Sequence, residues 1–246
     1  MRAIDSAAPA CNPALAARLA EIDRLLVQTY GEPEWRPHHD PLSELIAVVL
    51  SQNTSDVNSG RAFESLRRRF PAWEAVRDAD EADIATAIRA GGLATLKAPR
   101  IKAILQELTR RFGTLDLDFI CSRPREEVEA LLRALPGIGA KSVACVLLFA
   151  CGRPAMPVDT HVHRVCRRLG ITNERTTPEQ AQRILEAHVP PDRIYPLHIN
   201  LIRHGRQLCK APRPLCERCP LQPVCYYYQT IRRPPDAAAA TQEASA

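Results

Sequence analysis

The stretch LPGIGAKSVACVLLFACGRPAMPVDTHVHRV, residues 135–165, places a Pro-Gly-Ile-Gly turn between two helix-forming segments. Apolar residues at helical spacing lead up to Leu135, and a second, apolar helix is predicted to begin at about Ala140. Gly137 and Gly139 allow the backbone to turn tightly and to approach a ligand with no Cβ in the way. The stretch therefore predicts a helix-hairpin-helix.

The backbone amides of this hairpin favour binding of an anion. Together with the N-terminus of the following helix, they form a cradle for a group such as a DNA phosphate. Contacts of this kind carry no base-sequence information. A simpler interpretation is that the turn only connects two helices, and a short glycine turn taken in isolation favours it.

Lys141 shifts that balance, because a cation in the first turn of a helix opposes the helix dipole at a cost of roughly a few tenths of a kcal/mol. The same positive potential, with the apolar run 143–150 beside it, is expected to favour the neutral, nucleophilic amine. Asp159 precedes the next predicted helix as an N-cap, and that helix would bring it beside Lys141 if it folded back. A nucleophile paired with a carboxylate is one hypothesis.

The composition favours an all-α protein. Of 246 residues, 46% are hydrophobic but only 5% aromatic, and Ala and Leu dominate over the Val, Thr and Tyr typical of strands. Apolar residues recur at helical spacing, with no comparable period-two alternation. The clearest positions are Leu15, Leu19, Ile22 and Leu26; Phe63, Leu66 and Phe70; Ile101, Ile104, Leu105, Leu108 and Phe112; and Val128, Leu131, Leu132 and Leu135.

Charge and hydropathy narrow the possible partners. The net charge of +5 favours polyanions weakly. The longest apolar run, Val143 to Cys151, is nine residues, against the roughly 20 that a membrane span needs. The N-terminus lacks the uninterrupted apolar stretch of a secretion signal, so we expect a cytoplasmic protein with no membrane partner.

Four of the nine cysteines lie within 17 residues, in the pattern Cys209-x6-Cys216-x2-Cys219-x5-Cys225. Four thiolates from one loop would complete a tetrahedral site, and spacing alone leaves zinc and an iron-sulfur cluster open. The remaining cysteines are predicted to be buried small hydrophobes rather than a disulfide framework. They are Cys11, Cys121, Cys145, Cys151 and Cys166.

Two cations, Lys210 and Arg213, lie between the first two cysteines of that cluster. A loop stiffened by a metal centre would press them onto phosphates. For each residue singly, a role in keeping the loop hydrated is an equally good interpretation.

Taken together, residues 135–165 resemble the helix-hairpin-helix and Gly-Pro-Asp motif of the endonuclease III family of DNA glycosylases and abasic-site lyases. The resemblance extends from about Leu15 to Tyr228. It implies that Lys141 is the catalytic lysine and Asp159 the catalytic aspartate. The amine would attack the sugar C1′ as the damaged base leaves, and β-elimination from the resulting Schiff base would follow.

The resemblance also implies a cofactor and a domain plan. The cysteine spacing and the lead-in LHINLIRHGRQLC, residues 197–209, are similar to the family's [4Fe-4S] module. In the family, a helix-hairpin-helix six-helix barrel domain, here 34–153, is joined by an iron-sulfur domain, here 1–33 and 154–230. DNA is expected in the cleft between the two domains, and the tail 231–246 is predicted to be disordered.

Two further segments resemble those that fill the gap left by an extruded nucleotide. In residues 91–100, Leu93 matches an apolar wedge; in residues 49–60, Asn53 stands where the family commonly has Gln, with Gln52 adjacent. Which of the two polar side chains faces the estranged base is left open. The simpler interpretation is that Gln52 and Asn53 cap the helix before Asp56 and that Leu93 belongs to the core.

The function that follows is a monomeric repair enzyme of the bacterial, nucleoid-associated type, acting on double-stranded DNA with oxidised pyrimidines or abasic sites. Alternatives are a glycosylase for mismatched adenine or uracil, a non-catalytic iron-sulfur DNA-binding protein, and a zinc-dependent regulator. The adenine-mismatch enzymes need a Glu where this chain has Val48, with Glu44 one turn earlier, and they normally lack a lysine at the position of Lys141.

Overall fold

The computed structural model of the chain describes residues 12–232, which are helical and contain no strand, so the predicted all-α class is confirmed. The α-helices are α1 Pro13–Tyr30, α2 Pro41–Ser51, α3 Asp56–Arg69, α4 Trp73–Asp78, α5 Glu81–Ala87, α6 Ala94–Phe112, α7 Arg125–Arg133, α8 Ala140–Cys145, α9 Thr160–Leu169, α10 Pro178–His188 and α11 Ile194–Gln207. Short 3₁₀ turns are Arg89–Gly91, Asp118–Ser122, Pro191–Arg193, Cys216–Arg218 and Gln222–Val224, and π-helical turns are Val146–Ala150 and Tyr228–Arg232. Across the described range, no helix has the length and apolar character that a membrane crossing requires.

The chain divides into two compact units. The continuous unit is Trp35–Pro157, and the discontinuous unit combines the described residues up to Glu34 with those from Val158 onwards. The sequence predicts a boundary after Arg153, whereas the structure has it after Pro157, because Ala155 is buried in the core of the continuous unit.

Helix α2 organises the continuous unit. Asp40 caps it by accepting the Ser43 amide at 2.9 Å, and Pro41 occupies the first helical position. The helix is buried along nearly its whole length and packs against α3, α6 and α8. Because α8 begins directly after the Pro-Gly-Ile-Gly turn, this packing fixes the position of the hairpin within the unit.

In the discontinuous unit, α11 packs against α9 and α1. A capping box begins α10, with reciprocal hydrogen bonds between Thr177 and Gln180. Arg18 of α1 donates to the carbonyl oxygens of Leu169 and, at 2.9 Å, Val224, and so holds the C-terminal segment on α1.

The scattered cysteines differ in part from their predicted role. Cys145 and Cys166 are buried thiols that take no part in a disulfide, as predicted. Cys121 and Cys151 instead form a disulfide, which the prediction of separate buried hydrophobes missed. The 3₁₀ turn Asp118–Ser122 brings their Cα atoms to 5.0 Å, within the range a disulfide spans.

Two predictions fall partly or wholly outside the described residues. Cys11 is not among them, nor are residues 233–246 of the predicted disordered tail. Ile231 and Arg232, the first two residues of that predicted tail, instead complete the last π-helical turn.

Candidate active site and candidate metal centre

The glycine hairpin joins α7 to α8. Gly137 has φ +75°, and a Cβ there would lie 2.5 Å from Nε of Arg100, so the turn requires glycine at this position. Gly139 has an extended backbone with φ −104°, and a Cβ there would meet no protein atom within 4 Å. The first glycine serves the turn, and the second leaves open space at the start of α8.

Lys141 is the second residue of α8 and is exposed, whereas the following residues, Ser142 to Leu148, are buried. The helical twist directs the apolar run into the core and Lys141 away from it. The expectation that the amine lies against this apolar run is therefore wrong. An exposed amine is, however, accessible to a substrate that approaches the hairpin.

Glu44 is a functional candidate whose burial the sequence analysis missed. It lies in α2, which packs against α8, and is only 6% exposed. Burial raises the pKa of Glu44 to about 7, the charge of Lys141 opposes that rise and Asp40 adds to it. A single carboxyl among the apolar residues of α2 was the available sequence signal.

Asp159 belongs to the discontinuous unit and is the N-cap of α9. Its Oδ1 accepts the backbone amide of Val162 at 2.7 Å, which confirms the predicted cap. The side chain is half-buried, and the guanidinium of Arg164 interacts with it electrostatically. The carboxylate is therefore held in one orientation at a helix N-terminus.

Gln52 and Asn53 have different surroundings. Gln52 donates through Nε2 to the Gly137 carbonyl oxygen at 3.2 Å and accepts at Oε1 from Arg100 at 2.7 Å. Asn53 is exposed and has φ +54°. Ser55, not either of these residues, is the N-cap of α3, so the capping interpretation is wrong.

Leu93 lies at the N-terminus of α6, in the left-handed conformation with φ +50°. It is 50% exposed, so the interpretation as a core residue is wrong. Leu96, one turn further along, is 64% exposed. The start of α6 therefore presents an apolar projection next to Gly91 and Gly92.

The four clustered cysteines line one cavity in the discontinuous unit, and none of them forms a disulfide. Arg168 lies 3.3 Å from Sγ of Cys209, and Nε2 of His204 lies 3.6 Å from Sγ of Cys219. Four unpaired thiols around one cavity fit the donor set of a zinc ion or an iron-sulfur cluster. Between residues 12 and 232, however, no group of three or more His, Cys, Asp or Glu residues has the arrangement of a metal site, so the metal stays a prediction.

The interior of this cavity favours uncharged groups. Burial lowers the pKa of His204 to about 4 and raises the pKa of Cys219 to about 12. The imidazole is therefore neutral, and its Nδ1 lies 3.1 Å from the Tyr30 hydroxyl. Thiolates would be favoured here only with a cation bound among them.

Lys210 and Arg213 are both exposed, and Arg213 has φ +54°. The backbone of the loop that carries them is fixed by hydrogen bonds, because the Arg168 side chain donates to the carbonyl oxygens of Lys210 at 2.7 Å and Ala211 at 2.9 Å. The two cations therefore project into solvent from an anchored backbone.

Comparisons with known proteins identify the family of this chain. Residues 46–191 match the model of the HhH-GPD superfamily base excision DNA repair proteins. Endonuclease III of Thermotoga maritima is 34% identical over 86% of this chain and 93% of its own length. A putative DNA glycosylase of Arabidopsis thaliana is 36% identical over 72% of this chain. The aligned region covers 58% of that protein's length.

Among solved structures, a trapped endonuclease III–DNA covalent intermediate in an estranged-adenine complex superimposes with a TM-score of 0.77. Its sequence is 26% identical to this one, and the superposition covers 87% of this chain and 97% of the chain in that structure. The chain therefore belongs to the endonuclease III family, within the HhH-GPD superfamily of base excision DNA repair proteins, and is an enzyme of the DNA glycosylase/lyase class.

Proposed function

We propose that this enzyme removes damaged, oxidised pyrimidines from double-stranded DNA and cleaves the resulting abasic site through a Schiff base on Lys141. The observation that carries the proposal is the exposed Lys141 amine directly after a glycine hairpin with open space at Gly139. The similar solved structure described as a trapped covalent intermediate with DNA supports a covalent mechanism.

In this mechanism the Lys141 amine forms a bond to C1′ of the deoxyribose as the glycosidic C–N bond breaks, and the base leaves with the electron pair and gains a proton. The sugar ring opens to give a Schiff base. Loss of a C2′ proton then expels the 3′-phosphate by β-elimination, and water releases Lys141. The Asp159 carboxylate stabilises positive charge that develops on the sugar and moves protons.

Binding and base extrusion are assigned to exposed groups. Backbone amides at Gly137 and Gly139 contact a phosphate, and Lys210 and Arg213 contribute further phosphate contacts. Leu93 enters the base stack as the wedge. Asn53 faces the estranged base, and this assignment is supported by the engagement of the Gln52 amide with both Arg100 and Gly137.

Cys209, Cys216, Cys219 and Cys225 would hold the [4Fe-4S] cluster. The cluster would cross-link the loop that carries the two cations and supply a one-electron redox centre. Iron and sulfide analysis of anaerobically purified protein tests this assignment. A brown protein with about four irons per chain is expected, whereas a colourless protein containing zinc would contradict it.

Borohydride trapping tests the central step. We expect a covalent adduct between the intact enzyme and abasic duplex DNA, and none with Lys141→Gln. A panel of lesion duplexes, scored separately for base release and strand cleavage, defines the substrate. Base release without strand cleavage would contradict the lysine mechanism.

A lesion range that includes mismatched adenine is a second candidate. The buried carboxyl of Glu44 in α2 favours it, because this carboxyl lies one turn before Val48, the position at which adenine-mismatch enzymes need a glutamate. The presence of Lys141 weighs against it. Release of adenine from a mismatch, in the same panel, distinguishes this candidate from pyrimidine release.

A further inference from the structure

We propose that Lys97 is a positioning residue, which ties together the two loops carrying Asn53 and Leu93 so that both side chains enter the duplex as one rigid body. This inference rests on the proposed function of those two residues.

Lys97 is only 3% exposed and lies in the first turn of α6. Its Nζ donates to the carbonyl oxygen of Leu50, near the end of α2, at 2.6 Å and to that of Gly91 at 2.9 Å. Both acceptors lie in the last turn of a helical segment, where carbonyl oxygens lack helical partners and carry negative partial charge. One buried ammonium group therefore bridges two chain segments 41 residues apart.

The cost of burying this cation indicates how strongly the bridge is required. Burial lowers the pKa of Lys97, with a smaller contribution from the charge of Arg100. A buried ammonium persists when its protons are hydrogen-bonded, and removing it leaves two buried carbonyl oxygens without this partner. A methionine of similar length would fill the space but not bridge the loops.

A second hydrogen bond joins the same two loops, and we call the place where they meet the junction. The Thr54 hydroxyl donates to the Gly91 carbonyl oxygen at 2.7 Å, so this carbonyl accepts from both Thr54 and Lys97. A Cβ on Gly91 would lie 3.0 Å from the Ala62 side chain, so this segment also lies directly against α3. The loops 52–54 and 91–93 are thereby held at a fixed separation.

The residues that this junction supports have unfavourable backbones. Asn53 and Leu93 both have positive φ, +54° and +50°. Conformations of this kind are energetically unfavourable and persist only when the surroundings impose them. Lys97 bonds a carbonyl three residues before Asn53 and one two residues before Leu93. The bridge therefore keeps both side chains extended towards solvent before DNA arrives.

The test compares Lys97→Met with Lys102→Met in the full chain. Lys102 is a matched control, because it lies on the same helix and donates to the Ala79 carbonyl oxygen at 2.7 Å, away from both loops. Two substrates are used: a lesion in a fully paired duplex, and the same lesion flanked by mismatches that open the duplex in advance. Single-turnover base release is measured on each.

We expect Lys97→Met to slow base release from the paired duplex by about tenfold or more, the order that a small misplacement costs. Release from the pre-opened duplex should change little, and Lys102→Met should behave as wild type on both. Equal slowing on both substrates, or none on either, would overturn the proposal. If Lys97→Met does not fold, Thr54→Val removes the second contact to Gly91 and should show the same selectivity in weaker form.

Duplex opening is also measured without chemistry, from the fluorescence of 2-aminopurine placed beside an uncleavable abasic analogue. Wild-type enzyme should raise this fluorescence, and Lys97→Met should raise it less. A wild-type enzyme that opens the duplex but releases no base would refute the proposed function. The fluorescence comparison would still decide the positioning role of Lys97 in that case. Identical fluorescence with wild type and Lys97→Met would refute the positioning role alone.

Discussion

The buried carboxyl of Glu44 in α2 interacts electrostatically with Lys141 at the start of α8. Both residues lie in the continuous unit, where α2 packs against α8. Because burial raises the pKa of Glu44 to about 7, the charge beside the candidate nucleophile changes near neutral pH.

This relationship predicts a pH-dependent stability. The folded-state pKa of Glu44 lies above its ordinary value of 4.5, so its contribution to stability is complete below about pH 4.5 and is lost as pH rises through about 7. Relative to Glu44→Gln, the wild type should lose on the order of 3 kcal/mol over that range, at about 1.4 kcal/mol per pKa unit. Urea unfolding at several pH values measures the difference, and parallel curves for the two proteins would exclude it.

The helix-capping role of Asp159 and its proposed catalytic role are separable. Asn caps a helix about as well as Asp, whereas Ala costs about 1 kcal/mol. Asp159→Asn should therefore keep wild-type stability yet reduce base release by about 100-fold, since the negative charge is lost. Asp159→Ala should lose both the stability that the cap contributes and the activity in base release. Unfolding and single-turnover assays check this, and an active Asp159→Asn enzyme would leave Asp159 only as a cap.

The two hairpin glycines should respond differently to alanine. Gly137→Ala places a side chain at φ +75° against Arg100 and should destabilise the fold by about 1–3 kcal/mol. Gly139→Ala meets no protein atom, so stability should be nearly unchanged while DNA binding weakens. Thermal unfolding and fluorescence anisotropy at fixed salt distinguish the two effects. Unchanged DNA affinity in Gly139→Ala would exclude close approach of DNA at this position.

Lys210 and Arg213 should contribute equally to the affinity for DNA of any base sequence. Affinity falls as salt rises, and each phosphate contact steepens the slope of log affinity against log salt by about 0.9. Lys210→Ala and Arg213→Ala should each reduce the slope by about that amount, and the exposed Arg206 of α11 provides a comparison substitution. If both variants have the same salt dependence of DNA affinity as the wild type, the two residues serve only to keep the loop hydrated.

Much of this architecture follows from contacts between neighbours in the sequence. The hairpin at residues 135–140, the Asp159 cap and the Thr177 capping box depend on residues within one or two helical turns. Their turn and cap chemistry is readable for that reason. The helical periodicity and the motif spacing were likewise sufficient for the all-α class and the family.

Tertiary packing alone decided the rest, because it joins residues that are distant in the sequence. The pairing of Cys121 with Cys151, the burial of Glu44 and the bridge from Lys97 to Leu50 depend on how the helices pack, and no local pattern encodes them. The different surroundings of Gln52 and Asn53 are of the same kind. The two are adjacent in sequence, but only the folded hairpin and α6 provide Gln52 with partners and leave Asn53 exposed.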